Sequence, residues 1–184
     1  MTDKAAADII QSAKRGDLAS VSALYEGYHA SVFRYLYYRV GDRQTADDLT
    51  SEVFLRMIKS LAGYKEQGVS FQAWLFQIAR NLAVDHFRQA SASRQVPLPE
   101  SLPARGAEPS VAAEHNLTSE SLRRALSKLD ADQRDVIVLR FVVNLPIAEV
   151  AQALHRSEDA IKGLQRRGLI ALRAELAGSE VSYA

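Results

Sequence analysis

The sequence contains no cysteine. That excludes disulfides and thiolate zinc sites, and it suits a reducing compartment. No apolar run in the 184 residues approaches the roughly 20 that a membrane-spanning helix needs, so no membrane insertion is expected. The start, Met1-Thr2-Asp3-Lys4-Ala5, is charged and lacks the apolar core of a signal peptide. These absences together read as a cytoplasmic chain. An excess of either charge is also missing: 23 lysines and arginines face 22 aspartates and glutamates, a net charge of +1. Dedicated duplex binders carry a strong basic excess, because neutralising phosphates supplies most of their affinity. A chain this balanced binds DNA weakly alone, or with help.

The usual signs of catalysis are absent as well. His29, His86, His115 and His155 fall in four separate segments. There is no H-E-x-x-H, no Gly-rich phosphate loop and no nucleophile elbow. Asp47 and Asp48 are adjacent, so on a helix they point about 100° apart and cannot share a substrate. The sequence therefore predicts neither an enzyme nor a metal or cofactor site.

What is present is helix after helix. Residues 5–14 read as a short helix ending at Gly16. Asp17 can cap a longer one carrying Leu18, Val21, Leu24, Tyr25, Tyr28, Val32, Phe33, Leu36 and Val40, stopped by Gly41. Thr45-Ala46-Asp47-Asp48 reads as a capping-box start for the next, with Leu49, Val53, Phe54, Met57, Ile58 and Leu61 on its apolar positions. Asp47, Asp48, Ser51 and Glu52 form an opposite, acidic face, which a helix dipole and solvent explain equally well. Residues 63–70 read as a loop holding Tyr64 and Lys65. Ser70 then caps a helix with Phe71, Trp74, Leu75, Ile78, Ala79 and Leu82 inward. Its polar stripe, Gln77, Asn81, Asp85 and Arg88 with Arg80 alongside, suits single-stranded nucleic acid or an ordinary solvated face.

From about Ala90 to Glu114 the texture changes. Four of the five prolines (Pro97, Pro99, Pro103, Pro109) lie here with no periodic apolar face, the composition of a linker. It divides an all-α chain into domains at 1–89 and 117–176, with a linker over 90–116 and a tail over 177–184. In the second domain Leu117, Leu122, Leu126 and Leu129 open a helix. Asp130 with Gln133 predicts a capping box for the next, and Asn144 a left-handed stop. Pro146 suits the first turn of a helix carrying Ile147, Val150, Ala151 and Leu154. His155-Arg156 makes a turn and Ser157 caps a last helix with Ile161, Leu164, Gly168 and Leu172 on one face. Lys162, Arg166, Arg167 and Arg173 lie on the others. A short helix, a tight turn and a helix with a basic outer face is the geometry of a major-groove reader, though a plain bundle with solvated cations has the same pattern.

These residues carry a resemblance. Ala46-Asp47-Asp48-Leu49-Thr50-Ser51-Glu52-Val53-Phe54, then Phe71-Gln72-Ala73-Trp74-Leu75 running into Ile78-Ala79-Arg80-Asn81 and Asp85, resemble a bacterial sigma factor of the extracytoplasmic-function, sigma-70-related type. So do Leu129-Asp130-Ala131-Asp132-Gln133-Arg134, Leu139-Arg140-Phe141 and Ala148-Glu149-Val150-Ala151 in the second domain. The resemblance implies a promoter-specificity subunit whose partners are core RNA polymerase (its β′ clamp and β flap), promoter DNA and an anti-sigma factor. Asp48, Ser51 and Glu52 match the surface that docks on the β′ clamp. Tyr64, Lys65, Arg80, Asn81 and Arg88 match the part that opens the −10 element. Arg156, Ser157, Lys162, Arg166 and Arg167 match the edge that reads the −35 element. The near-neutral charge then follows, because polymerase supplies much of the DNA contact. The chain departs from the family at His155, where a glycine is common; His155 must take a left-handed turn or the turn must rearrange. Two other readings compete: a stand-alone helix-turn-helix regulator, which no dimerisation heptad supports, and a helical interaction protein with no DNA role.

Overall fold

The computed structural model describes residues 3–65, 68–93 and 113–180. Four of the prolines of the expected linker lie outside the described residues. Those described form α-helices and two tighter or wider turns, with no strand among them. The helices are α1 (Asp3–Lys14), α2 (Leu18–Val40), α3 (Arg43–Ser60), α4 (Phe71–Ser93), α5 (Ala113–Ser127), α6 (Ala131–Ile137), α7 (Ile147–Leu154) and α8 (Glu158–Glu180). None of them is long and apolar enough to cross a membrane.

Local chemistry sets most of the boundaries. Gly16 (φ 88°) ends α1, and the Asp17 carboxylate accepts from the Ser20 amide at 3.0 Å to start α2. Gly41 (φ 84°) closes α2 with its amide on the Tyr37 carbonyl. The next start lies earlier than the sequence predicts: Asp42 is the cap of α3, accepting from the Thr45 amide at 2.7 Å, so Thr45 is already inside the helix. Ser70 caps α4 as expected, its hydroxyl accepting from the Ala73 amide at 3.1 Å. The Asp130 carbonyl accepts the first amide bond of α6, from Arg134 at 2.9 Å, but its side chain caps no amide; instead Gln133 Nε2 donates to Asp130 Oδ2 at 3.2 Å, so the expected capping box is a side-chain pair.

The helices of each domain pack on an apolar side. In the first, Leu24, Val32 and Leu36 of α2 meet Val53, Phe54 and Met57 of α3 and Leu75, Phe76 and Ala79 of α4, all buried. In the second, Leu126, Val136, Ile137, Leu139, Leu145, Val150, Leu154 and Ile161 form the interior. The buried run expected to be one helix up to Asn144 widens into a π turn over Val138–Val142 before Asn144 (φ 66°) stops it. Such a widening re-aims the side chains beyond it. Here it sets Arg140 between the Gln165 side chain of α8 and the Leu145 carbonyl. Gly168 lets α8 approach α6 closely: a Cβ there would stand 2.9 Å from Ile137 Cγ1.

The two domains touch. Buried apolar residues of both belong to one contiguous cluster, and the contact runs from α4 to α7 and from α2 to α5 and the π turn.

Candidate functional site

Three groups of side chains were singled out by sequence, and the structure treats them differently. Asp48 and Ser51 lie exposed on α3 with Glu52 half-buried beside them; Glu52 pairs with Arg56 at 2.9 Å, one turn on. The same face carries an apolar residue the sequence reading missed. Leu55 is 51% exposed and lies four residues on from Ser51, and Ile58, expected inside, is exposed too. Large aliphatic side chains left in water beside carboxylates form a face suited to a protein partner. The signal was present in the sequence: Leu55 falls on the acidic face, outside the apolar stripe.

The second group lies on and beside α4. Lys65, Asn81 and Arg88 are exposed; Arg88 pairs with Asp85 at 2.9 Å. Tyr64, by contrast, is buried. Its ring is 4% exposed, packed against Phe71 and Trp74, and its hydroxyl donates to the Val69 carbonyl at 3.0 Å. Two neighbouring rings offer it a dry site worth more than solvent. It shapes the loop and does not face outward. A cleft of about 320 Å³ opens between α3 and α4, lined by Arg56, Lys59, Ser60, Ile78 and Asn81. Its floor is apolar, its rim basic, and an amide stands at one side.

Arg80 is only 25% exposed because the second domain covers it. Its guanidinium lies 3.4 Å from Asp135 and 3.7 Å from Asp132, both on α6. Asp135 is 1% exposed and also takes Arg39 of α2 at 2.8 Å and a hydrogen bond from the Tyr35 hydroxyl at 3.0 Å. Burial pushes the Asp135 carboxyl above the usual carboxylate range, against the pull of Arg39, the Tyr35 hydrogen bond and Arg80. Burial and the neighbouring carboxylate push the Tyr35 phenol well up, so it is held as a donor. Around this cluster the Ser70 amide donates to Gln152 Oε1 at 3.0 Å, and Gln77 Nε2 to the Gln152 carbonyl at 2.9 Å. None of these long-range partners was read from the sequence.

The third group lies at the start of α8. His155 takes the left-handed turn (φ 51°, ψ 47°), and the Ser157 hydroxyl accepts from the Ala160 amide at 3.2 Å. The expected face pattern holds for Ile161, which is buried, and for Leu164 and Leu172, which pack on the core, with Gly168 buried against α6. Lys162, Arg166 and Arg167 are exposed. Lys162 pairs with Asp159 at 3.0 Å, whose hydrogen bond holds its ammonium above the ordinary value. Arg156 reaches back to Asp132, the same carboxylate that faces Arg80. A short helix, a left-handed turn and a helix presenting three cations outward can enter a major groove.

Comparison with known proteins agrees with this division. Residues 24–93 match the Sigma-70 region 2 family and residues 125–174 the Sigma-70, region 4 family. The chain is 38% identical over 164 residues to the ECF RNA polymerase sigma factor BldN of Streptomyces coelicolor. That alignment covers 88% of this chain and 62% of BldN, so the chain spans less than two thirds of that relative's length. It is 33% identical over 159 residues to the ECF RNA polymerase sigma factor SigX of Bacillus subtilis, covering 83% of this chain and 81% of SigX. In fold it is similar to CnrH, solved in complex with the cytosolic domain of CnrY. The TM-score is 0.72 at 24% identity, over 92% of this chain and 96% of that one. Two sigma-70 regions in order, on two helical domains, make this chain a member of the extracytoplasmic-function group of the sigma-70 family.

Proposed function

We propose that the protein is a promoter-specificity subunit that binds core RNA polymerase, reads the −35 and −10 elements and promotes opening of the DNA. The observation that carries this reading is the outward cationic edge of α8, with Lys162, Arg166 and Arg167 exposed while Ile161 and Gly168 are buried behind them. That edge enters the major groove at the −35 element. Ser157 and Arg156 stand at its leading end, where helix-turn-helix proteins place base and phosphate contacts.

The other two groups take the remaining roles. Asp48, Ser51 and Glu52, joined by Leu55, dock on the β′ clamp: the carboxylates steer and the leucine supplies apolar contact. The cleft beside Asn81 receives a base extruded from the −10 element. Taking a base out of the stack costs a few kcal/mol, which an apolar floor, an amide and a basic rim can offset. Lys65, Arg80 and Arg88 follow the strand backbone, and Tyr64 supports the loop from inside. An anti-sigma factor is the natural controlling partner for such a subunit.

A pull-down with purified core RNA polymerase, followed by transcription from a library of promoter fragments, tests the reading. Binding and start-site-specific transcripts are expected together. Direct binding to duplex DNA with no binding to core would instead establish a stand-alone regulator.

A further inference from the structure

A lysine that lies ahead of the family match reaches the segment assigned to the −10 element. The match to region 2 begins at residue 24, whereas α1 ends at Lys14. Lys14 Nζ donates to the Tyr64 carbonyl at 2.7 Å, across 50 residues of sequence. We propose that Lys14 is a positioning residue for promoter opening: by holding the Tyr64 carbonyl it aims Lys65 at the −10 strand and fixes the adjoining wall of the cleft. This deepens, and rests on, the reading that Lys65 and the cleft beside Asn81 face that strand.

The place of the bond gives it leverage. α3 ends at Ser60, which lines the cleft together with Arg56, Lys59, Ile78 and Asn81. A single 3-10 turn, Leu61–Gly63, carries the chain from there to Tyr64, whose amide closes the turn on the Leu61 carbonyl at 3.1 Å. Carbonyls at the end of a helix lack an amide partner and carry partial negative charge, so an ammonium is favoured there. Tyr64 itself is extended (φ −64°, ψ 130°). Because the peptide unit is planar, holding its carbonyl fixes that ψ and with it the direction in which the chain leaves toward Lys65. A lysine of another helix thus governs where the next cation stands.

Three features set this bond apart from ordinary packing. First, α1 is seated without it: Ile10 and Ala13 are buried, and Ile9 packs on the same core. The Lys14 side chain is only half-buried and could extend into water, yet it orders its long stem to meet one backbone oxygen. Second, Tyr64 is tied from the opposite side as well. Its ring rests on Phe71 and Trp74 of α4, and its hydroxyl donates to the Val69 carbonyl at 3.0 Å. The ring takes its place from α4 and the backbone from α1, so the point from which Lys65 projects is clamped between two helices. Third, Lys65 is exposed, and its reach is set by the backbone that carries it.

Two substitutions separate aim from support. Lys14→Met keeps the apolar stem and removes the donor, while Lys14→Arg keeps a cation and its donors. Each full-length variant is assembled with core RNA polymerase and tested on a promoter chosen by the transcription assay and on a copy with its −10 element altered. A fluorescent base analogue within the −10 element reports opening. Lys14→Met should open the promoter about tenfold more slowly, the loss expected for one hydrogen bond to a charged group. It should also lose most of the preference for the intact −10 element, because the wall of the cleft that receives the base has shifted. Core polymerase binding and thermal melting should stay close to wild type. Lys14→Arg should recover most of both the rate and the preference. Equal slowing of Lys14→Met on both templates, which is what a merely structural bond gives, would overturn the proposal. An arginine variant no better than methionine would overturn it too, since the donor would then not be what matters. A wild-type holoenzyme that opens both templates alike removes the −10 assignment of this segment and takes the proposal with it. A wild type that discriminates, with Lys14→Met discriminating equally well, overturns the proposal alone.

Discussion

The two cationic surfaces differ in what stands opposite them. On α8, Lys162, Arg166 and Arg167 face outward, and the carboxylate that pairs with Lys162 is Asp159, one turn back on its own helix. On α4, Arg80 meets two carboxylates from a different domain. Residue type is the same in both places. Access is set by tertiary placement, which leaves the three cations of α8 exposed and covers Arg80 on α4.

The largest expected effect comes from breaking the available surface. Lys162→Glu with Arg166→Glu should lower promoter-directed transcription by at least about 100-fold, since contacts of this kind are worth roughly 1–3 kcal/mol each. Run-off transcription measures the loss, and a pull-down should show core polymerase binding unchanged. Transcription that survives the double reversal would hand the chain to the class of helical interaction proteins. Asp48→Lys with Glu52→Lys should give the opposite pattern, losing polymerase while leaving the helix-turn-helix intact.

The next effect acts behind the same surface. Gly168→Leu drives a side chain into Ile137 and Gln133 of α6, and overpacking of this kind costs about 1–3 kcal/mol. Thermal melting should fall by several degrees or more. Gly168→Ala should cost less than Leu, because about 1 kcal/mol of helix propensity offsets part of the close contact its Cβ makes with Ile137 Cγ1. Equal destabilisation by both would mean that α6 and α8 cannot give even a few tenths of an ångström.

Much of this contrast was open to a reader of the chain alone, and the part that was not has a physical reason. Gly16, Asp17, Gly41, Ser70, Asn144 and Ser157 act through their own neighbours within three or four residues, so helix limits and the two-domain all-α class follow from local pattern. Where two caps compete locally the reading fails: Asp42 and Thr45 are both competent, and only Asp42 bonds to the other's amide. Tyr64 is a loop residue by sequence, and only the fold brings Phe71 and Trp74 against its ring. The Arg39–Asp135–Arg80 cluster pairs residues of three different helices, and no periodicity encodes such a contact. Which cations stay open on α8 was therefore readable, while the covering of Arg80 was not.

A smaller effect separates the contact between the domains from the reading surfaces by pH. Glu120 accepts from both Arg123 and Arg124, and the hydrogen bond from Arg123 brings its carboxyl down from 4.5 to about 2. A carboxyl lowered in the folded state adds stability that is present above about pH 4.5 and lost as pH falls toward 2. Glu120 is about one third exposed, so solvent reduces the contribution to roughly 0.5 kcal/mol. Urea unfolding of the wild type and Glu120→Gln should differ by that amount at pH 6, by about half of it near pH 3, and converge only as pH reaches about 2. Arg123 reaches the Gly41 corner of the first domain, away from α8, so promoter use should not follow this titration.

An effect of similar size tests the turn between α7 and α8. His155 holds a left-handed backbone, which costs a non-glycine residue about 1–2 kcal/mol. Glycine removes that strain and adds about 0.5–1 kcal/mol of chain entropy loss. His155→Gly should therefore stabilise by about 0.5 kcal/mol in urea unfolding, with −35 binding unchanged because Ser157 still caps α8. His155 also lines the cleft of about 520 Å³ between the turn and Val69 of the first domain. Loss of stability on substitution would thus mean that the imidazole contributes across that cleft. The contact between the domains would then extend to the turn itself, and the head of the cationic surface of α8 would be held by the first domain.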